Sequence, residues 1–213
     1  LKLAEVGPKD FVIDLGSGDG RIVLTAAKVF GARGFGVEIK EKLVKESNDA
    51  ARLQGVADRV KFMNQDLFKT DISQATVLTM YLLPNTVNML KDKLLTELRP
   101  GTRIISHDYG LTDWRAEKTI SMDLEDKVAI SGVTTTLIFL YKVPAKVAGN
   151  WVARVPAGIS KDPVNLSLST QMVTRLRGNM RLAGKDVTID EGAIHGEVLD
   201  FRIYAGGTRY DFS

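Results

Sequence analysis

The chain has 213 residues, of which 44% are hydrophobic and 26% charged, a composition typical of a folded globular protein. It excludes a disordered chain, a collagen-like fibre and a coiled-coil rod. No apolar run reaches the roughly 20 residues that a membrane helix needs. The absence of cysteine excludes disulfides, thiolate metal sites and cysteine nucleophiles. The net charge of +3 is spread along the chain without a basic stripe, so it does not indicate nucleic-acid binding.

Strands and helices alternate along the first two thirds of the chain. Apolar spacing predicts helices from Arg21 to Gly31, across 43–55 and from Pro84 to Leu98, with Pro84 in the first turn of the third. Because strands that alternate with helices pair in parallel, we expect an α/β fold with helices on both faces of the sheet. Short apolar runs predict five strands at residues 11–15, 34–39, 59–64, 75–82 and 102–108.

The pattern changes after the fifth strand. Residues 116–124 and 133–143 predict two more strands without a helix between them, which indicates an antiparallel hairpin at one edge of the sheet. Residues 143–149 are typical of a linker. Beyond them, glycine-punctuated short strands predict a small all-β domain. We therefore expect domains at 1–143 and 149–213, and the last strand reaches the chain end, which leaves open whether more strands follow.

A glycine-rich turn, in the sequence VIDLGSGDGR, follows the first strand. Its glycines are expected to let the backbone approach a ligand and to leave free N–H groups facing it. A dinucleotide fingerprint would have a third glycine where Arg21 stands. Asp14 and Asp19 would repel a pyrophosphate, whereas Asp14 would attract the ammonium of a sulfonium amino acid. A nicotinamide dinucleotide is therefore disfavoured.

Two more carboxylates are predicted at strand ends on the same edge of the sheet. Glu38 ends the second strand, where it can accept hydrogen bonds from a ribose diol. Asp66 follows the third strand, where it can meet the exocyclic amine of an adenine, with Leu67 or Phe68 against the ring. The predicted cofactor contacts are Asp14, Gly16, Ser17, Gly18, Glu38, Ile39, Asp66, Leu67 and Tyr81.

Three motifs together, DLGSGDG, GVEI and NQDLF, resemble those of the class I S-adenosylmethionine-dependent methyltransferases. The resemblance covers roughly residues 1–143. It implies a seven-stranded Rossmann-like sheet of order 3-2-1-4-5-7-6 with strand seven antiparallel. It also implies an enzyme that uses S-adenosylmethionine and releases S-adenosylhomocysteine.

Longer strings, LGSGDGRIV, YLLP and ELRPGTRIISHDYGLTDW, are similar to a narrower group. These are the protein-lysine methyltransferases of the ATP-synthase c-subunit and adenine-nucleotide-translocase type and their bacterial relatives. The resemblance implies N-methylation of a protein lysine. In that family a segment with Tyr and Pro-Thr residues helps close the cofactor site, and we expect it to precede Leu1. The β-rich tail has no counterpart in the eukaryotic members.

The methyl acceptor is expected to meet the cofactor after the fourth strand, in MYLLPN (80–85). This stretch lacks the Asp/Asn-Pro-Pro-aromatic pattern of nucleic-acid amine methyltransferases, and no oxygen-ligand cluster supports a metal. Tyr81 is predicted as an aromatic wall that desolvates the acceptor amine and lowers its pKa, and Pro84 as the residue that shapes the turn. His107, at the end of strand five, either removes the acceptor's proton or is structural; we count it with Tyr81 and Pro84 as catalytic.

Two other functions stay open beside lysine methylation. A small-molecule N- or O-methyltransferase would use the same fold with a closed pocket, and a non-catalytic scaffold would bind the nucleoside and use the β tail to interact. We expect a protein lysine or a small amine as partner, with no nucleic acid and no membrane segment. We expect a cytoplasmic location, because S-adenosylmethionine is made there.

Overall fold

A computed structural model describes residues 1–124 and 134–213. The chain divides into two compact units. The first consists of Leu1–Thr112 and Ala116–Val143, and the second of Asp113–Arg115 and Pro144–Ser213. Val133, which the sequence assigns to a strand, lies outside the described residues.

The first unit is built on a seven-stranded sheet in the order β3-β2-β1-β4-β5-β7-β6. Its first five strands pair in parallel, while β7 is antiparallel to both β5 and β6. The expected fold class and strand order are therefore confirmed. The strands are β1 (Phe11–Leu15), β2 (Arg33–Glu38), β3 (Val60–Asn64), β4 (Val77–Met80), β5 (Arg103–His107), β6 (Lys118–Asp123) and β7 (Thr135–Lys142).

Helices connect the parallel strands. They are α1 (Arg21–Phe30), α2 (Glu41–Leu53), α3 (Pro84–Met89) and α4 (Lys91–Glu97), with short 3-10 helices at Lys2–Ala4 and Leu67–Lys69. Gly31 ends α1 in the left-handed conformation, and Pro84 lies in the first turn of α3, both as predicted. The prediction of a single helix across 84–98 is wrong, because α3 ends at Met89 and α4 begins at Lys91, with Leu90 between them as the cap of both.

The core of this unit explains why β1 reads as a continuous apolar run. Val12, Ile13 and Leu15 are fully buried because helices or loops cover both faces of a parallel sheet. On one face, α1 packs through Val23 and Ala27. Asp14 is the polar exception inside this run, and only 2% of its surface is exposed.

The second unit is a six-stranded antiparallel sheet in the order β13-β12-β11-β10-β9-β8. Along β9, buried Val164, Leu166 and Leu168 alternate with exposed polar residues, so one face forms the core. Val147, from the stretch expected to be a linker, is buried in the same core. The strands are β8 (Gly149–Ala153), β9 (Val164–Gln171), β10 (Arg175–Leu182), β11 (Lys185–His195), β12 (Val198–Ala205) and β13 (Thr208–Phe212).

Among residues 1–124 and 134–213, no helix is both long enough and apolar enough to cross a membrane.

Candidate functional site

The carboxyl ends of β1, β2, β4 and β5 meet at one edge of the sheet in the first unit. Between β1 and β4 the connections run off in opposite directions, since β2 follows on one side and β5 on the other. Such a switch point leaves a crevice where α/β sheets bind ligands. Most of the predicted site residues lie at this edge.

Asp14 lies in the floor of this crevice. Its Oδ1 accepts a hydrogen bond of 2.6 Å from the hydroxyl of Thr79, its register partner on β4. Burial raises the pKa of Asp14 to about 7; the Thr79 bond opposes that rise, and the nearby Asp19 and Glu38 add to it. Within the described part of the chain, no lysine or arginine forms an ion pair with this carboxyl.

The N–H groups of three loop glycines and of Ser17 are not free, contrary to expectation. The N–H groups of Gly16 and Ser17 both donate to the carbonyl of Val37, at 2.9 Å each. That of Gly18 donates to Glu38 Oε2 at 3.1 Å, and that of Gly20 to the carbonyl of Ser17 at 2.9 Å. These four N–H groups are not available to a ligand, although the glycines let a ligand come close to the backbone. This is unfavourable for a pyrophosphate, which needs free N–H donors.

Space around the loop differs from one glycine to the next. A Cβ on Gly18 would meet nothing within 4 Å, whereas one on Gly20 would lie 2.6 Å from the ring of Phe62. Gly18 therefore leaves open space beside the loop, while Gly20 allows α1 to begin against β3. Both have a positive φ, of 55° and 77°.

Ser17 is buried, but its side chain faces the protein interior. A Cβ on Gly36 would lie 2.6 Å from Ser17 Oγ, so this hydroxyl packs against β2. The N–H of Ser17 is bonded to Val37, and its Oγ is buried without a hydrogen-bond partner among the described residues, so its role as a cofactor contact stays a prediction.

Glu38 is held in place at the end of β2. Its two carboxylate oxygens accept from the N–H groups of Gly18 at 3.1 Å and Lys40 at 3.0 Å. Asn64, at the end of β3, donates to the carbonyls of Glu38 and Ile39 at 3.1 and 2.8 Å. The carboxylate is thereby preorganised, and Ile39 is exposed beside it.

Asp66 and Leu67 follow β3 at the same edge. Asp66 caps the 3-10 helix Leu67–Lys69, because its Oδ1 accepts from the N–H of Phe68 at 2.9 Å. Both Asp66 and Leu67 are partly buried, and Phe68 is exposed. A capping carboxylate keeps lone pairs for a further donor.

The segment after β4 lies over the glycine loop. A Cβ on Gly16 would come within 2.8 Å of the side chain of Leu82, so a larger residue at position 16 would collide with it. Pro84 then starts α3 and turns the chain away from the edge. The YLLP sequence and the glycine loop are therefore brought together, as their motifs predicted.

Tyr81 and His107 form a pair of aromatic rings between the ends of β4 and β5. Their ring centres are 4.0 Å apart and their planes are inclined by 31°. Tyr81 is half exposed, whereas His107 is partly buried. Both rings line a pocket of about 580 Å³, whose other walls are largely apolar and include Ile105, Ile120 and Met122.

Some residues that build the site were not found from the sequence. Thr79 holds Asp14, and Asn64 holds the turn after Glu38. Thr136 bonds to His107 at 2.6 Å from β7. Asn64 is the first residue of the NQDLF motif, but the sequence assigned it no role, and Thr79 and Thr136 belong to no motif. The one available signal for Thr79 is its register opposite Asp14 on adjacent parallel strands.

These residues fit S-adenosylmethionine better than a dinucleotide. The deciding feature is Asp14, a buried carboxyl on the strand that leads into the glycine loop, where Gly18 leaves open space; it suits an ammonium group and disfavours an anion. Glu38 ends β2, Asp66 follows the neighbouring strand β3, and both side chains are hydrogen-bond acceptors.

The family profile that matches this chain and two similar proteins are all methyltransferases. A profile described as the ANTKMT methyltransferase domain matches residues 14–118. A protein-lysine N-methyltransferase of Saccharolobus islandicus (strain REY15A) is 43% identical over 124 residues, which are 58% of this chain and 77% of that protein. An adenine nucleotide translocase lysine N-methyltransferase of Mus musculus is 31% identical over 132 residues, which are 62% of this chain and 53% of that protein. The chain thus spans about half the length of this last relative.

A solved structure gives the same fold with a different acceptor in its name. It is an RNA methyltransferase from Salinibacter ruber in complex with S-adenosyl-L-homocysteine. It is 42% identical, has a TM-score of 0.61, and the match covers 69% of this chain and 89% of that one.

The buried Asp14 generates a prediction about stability. Its pKa of about 7 in the folded chain exceeds the ordinary 3.8 of an unfolded one, so folding takes up a proton between these values. The free energy of unfolding therefore falls as pH rises from about 4 to about 7. We expect Asp14→Asn to be more stable than the parent at pH 8 by about 2–4 kcal/mol, and to lose most of this advantage at pH 4. Urea denaturation at the two pH values measures this.

Asp58→Asn is the matched control, because Asp58 is exposed. Its effect should stay within about 0.5 kcal/mol at both pH values. If Asp14→Asn is less stable than the parent at pH 8, the burial of the Asp14 carboxylate does not destabilise the folded chain.

Proposed function

We propose that this chain, which belongs to the S-adenosylmethionine-dependent methyltransferases of the ANTKMT family, transfers a methyl group to the ε-amine of a protein lysine. The archaeal relative is named a protein-lysine N-methyltransferase, and the mouse relative also has a lysine acceptor in its name.

The observation that carries this proposal is the acidic character of the crevice edge, whose carboxyl groups the cofactor and the acceptor amine would share. Carboxyl groups stand at or just beyond the ends of four of its strands, and Arg21, the cation of the glycine loop, is paired with Asp19 at 2.5 Å. A lysine side chain is attracted to such an edge, whereas nucleic-acid phosphates are bound by lysine and arginine. The carboxyl groups are those of Asp14, Asp19, Glu38, Asp66 and Asp108.

The geometry of the edge supports the following assignment of cofactor contacts. We assign the cofactor's ammonium to Asp14, its ribose hydroxyls to Glu38 and its adenine amine to Asp66. Ile39 and Leu67 are the apolar neighbours available to the adenine ring. When bound, S-adenosylmethionine supplies an electrophilic methyl group on a sulfonium.

The residues after β4 and β5 have the task of presenting a neutral amine. Tyr81 offers an aromatic face that desolvates the ε-amine and favours loss of its proton. The pocket of about 580 Å³ beside Tyr81 can take the aliphatic stem of the lysine or an apolar neighbour. His107 supports Tyr81 from behind, and Pro84 fixes the turn that carries it.

RNA methylation is the second candidate function. It is favoured by the name of the Salinibacter protein, which is 42% identical in a match that covers 89% of its chain. Against it stand the acidic edge and the stretch MYLLPN (80–85), which lacks the Asp/Asn-Pro-Pro-aromatic pattern of nucleic-acid amine methyltransferases. Lysine remains the better-supported acceptor.

The cofactor assignment predicts a specific loss of binding in Glu38→Gln. Removing one charge should weaken S-adenosylhomocysteine binding about 10- to 100-fold, because a hydrogen bond to a charged group contributes about 1.5–3 kcal/mol. Titration calorimetry measures this, with NAD as a second ligand that should not bind. Glu41→Gln, in the first turn of α2, is the control and should bind like the parent. Equal affinity of both variants would contradict the role of Glu38.

The acceptor assignment is tested with radiolabelled S-adenosylmethionine and a cell extract of the source organism. We expect the label to resist ribonuclease, to be released by protease and to appear as Nε-methyllysine after hydrolysis. Tyr81→Ala should lower the rate at least about tenfold, since a misplaced acceptor group costs up to about 100-fold, while Tyr81→Phe keeps most of it. Tyr204→Ala, another half-exposed tyrosine, is the control. Label that is lost with ribonuclease would identify an RNA acceptor instead.

A further inference from the structure

A hydrogen-bonded group behind the Tyr81–His107 pair ties β5 to β7. Thr136 Oγ1 lies 2.6 Å from His107 Nε2 and 2.8 Å from Asp108 Oδ1. The same Asp108 oxygen accepts from the N–H of Leu137 at 3.1 Å. We call His107, Asp108 and Thr136 the β5–β7 clamp.

The hydrogen bonds of the clamp determine where the hydroxyl proton of Thr136 and the imidazole proton of His107 lie. Asp108 Oδ1 accepts two hydrogen bonds, from the Thr136 hydroxyl and from the N–H of Leu137. Thr136 has a single hydroxyl proton, which must be the one donated to Asp108. Its oxygen can then only accept from His107, so Nε2 of His107 carries a proton.

The surroundings show that this arrangement is held firmly. Thr136 is almost fully buried, with 1% of its surface exposed. Asp108 adopts a left-handed conformation with φ of 62°, which is uncommon for a residue other than glycine. Its N–H donates to the carbonyl of Leu137 at 2.7 Å, so backbone and carboxylate both bind β7. Unfavourable backbone conformations of this kind are often retained where a site needs a fixed geometry.

We propose that Asp108 and Thr136 are positioning residues for methyl transfer. They fix the tautomer and the plane of the His107 ring, and His107 in turn fixes Tyr81, whose ring centre is 4.0 Å away. This inference rests on the proposed function, because it assigns Tyr81 to the acceptor site. The clamp acts on the acceptor side, and Asp14, Glu38 and Asp66, which we assign to the cofactor, are not part of it.

The first readout is the imidazole proton itself. His107 and His195 are the two histidines of the chain, so their ring signals can be assigned by comparison with a His195→Gln variant. In the ¹⁵N-labelled full chain we expect a protected Nε2 proton on His107. Thr136→Val, which keeps the shape but removes the hydroxyl, should lose this protection, and Thr136→Ser should keep it. Thr135→Val is the matched control, because Thr135 bonds to Asp123 at 3.0 Å instead.

The second readout separates positioning from a structural role. In the assay with radiolabelled S-adenosylmethionine and the cell extract, Thr136→Val should lower kcat at least about tenfold, because a misaligned acceptor wall slows transfer. The KM for S-adenosylmethionine and the affinity for S-adenosylhomocysteine should stay within about twofold of the parent. Thr136→Ser should restore kcat.

The outcomes are distinguishable from a failure of the proposed function. A Thr136→Val variant that stays folded and keeps both the protected proton and the parent kcat would overturn the clamp. A variant that loses the proton but keeps kcat would show that the clamp is structural only, which also overturns the proposal. A parent chain that binds no S-adenosylhomocysteine would overturn the proposed function, while the proton readout would still test the geometry of His107.

Discussion

A carboxyl group buried in the middle of a parallel sheet shapes the crevice of the first unit. Asp14 has lost nearly all its contact with water, and the hydroxyl of Thr79 compensates only in part. Its raised pKa, about 7, reflects that cost. A cation placed next to Asp14 would offset the free energy of desolvation of its carboxylate. The buried carboxyl therefore favours binding of a positively charged ligand group. The glycine loop keeps the space for that ligand open.

Strand order places the other groups around this carboxyl. Because β1 lies between β2 and β4, the turn after β2 brings Glu38 to one side of Asp14, and the turn after β4 brings Leu82 over Gly16 on the other. The N–H groups of Gly16, Ser17 and Gly20 donate to backbone carbonyls, and that of Gly18 donates to Glu38 and holds its carboxylate in place. In the proposed assignment the ligand is recognised through carboxylates, which can accept hydrogen bonds from an ammonium group, a ribose diol and an adenine amine.

The sequence predicted the fold better than it predicted the side-chain contacts within the site. Glycines, buried runs and strand-end carboxylates predicted the α/β fold, while the strand order came from the resemblance. The inward direction of Ser17 depends on the absence of a side chain at Gly36, 19 positions away, which no local pattern reveals. Thr136 meets His107 across an antiparallel pair, 29 positions apart, and only the register brings them together. The roles assigned to site residues stay predictions.

The most direct test of the role of Asp14 is the proton balance of S-adenosylhomocysteine binding. At pH 6.5, titration calorimetry in buffers of different ionisation enthalpy counts the protons exchanged. Asp14, with a pKa of about 7, is mostly protonated in the free chain and must ionise to meet the ligand's ammonium. We expect release of about half to one proton, which disappears in Asp14→Asn. Binding without proton release, or with the same release in the variant, would contradict this role.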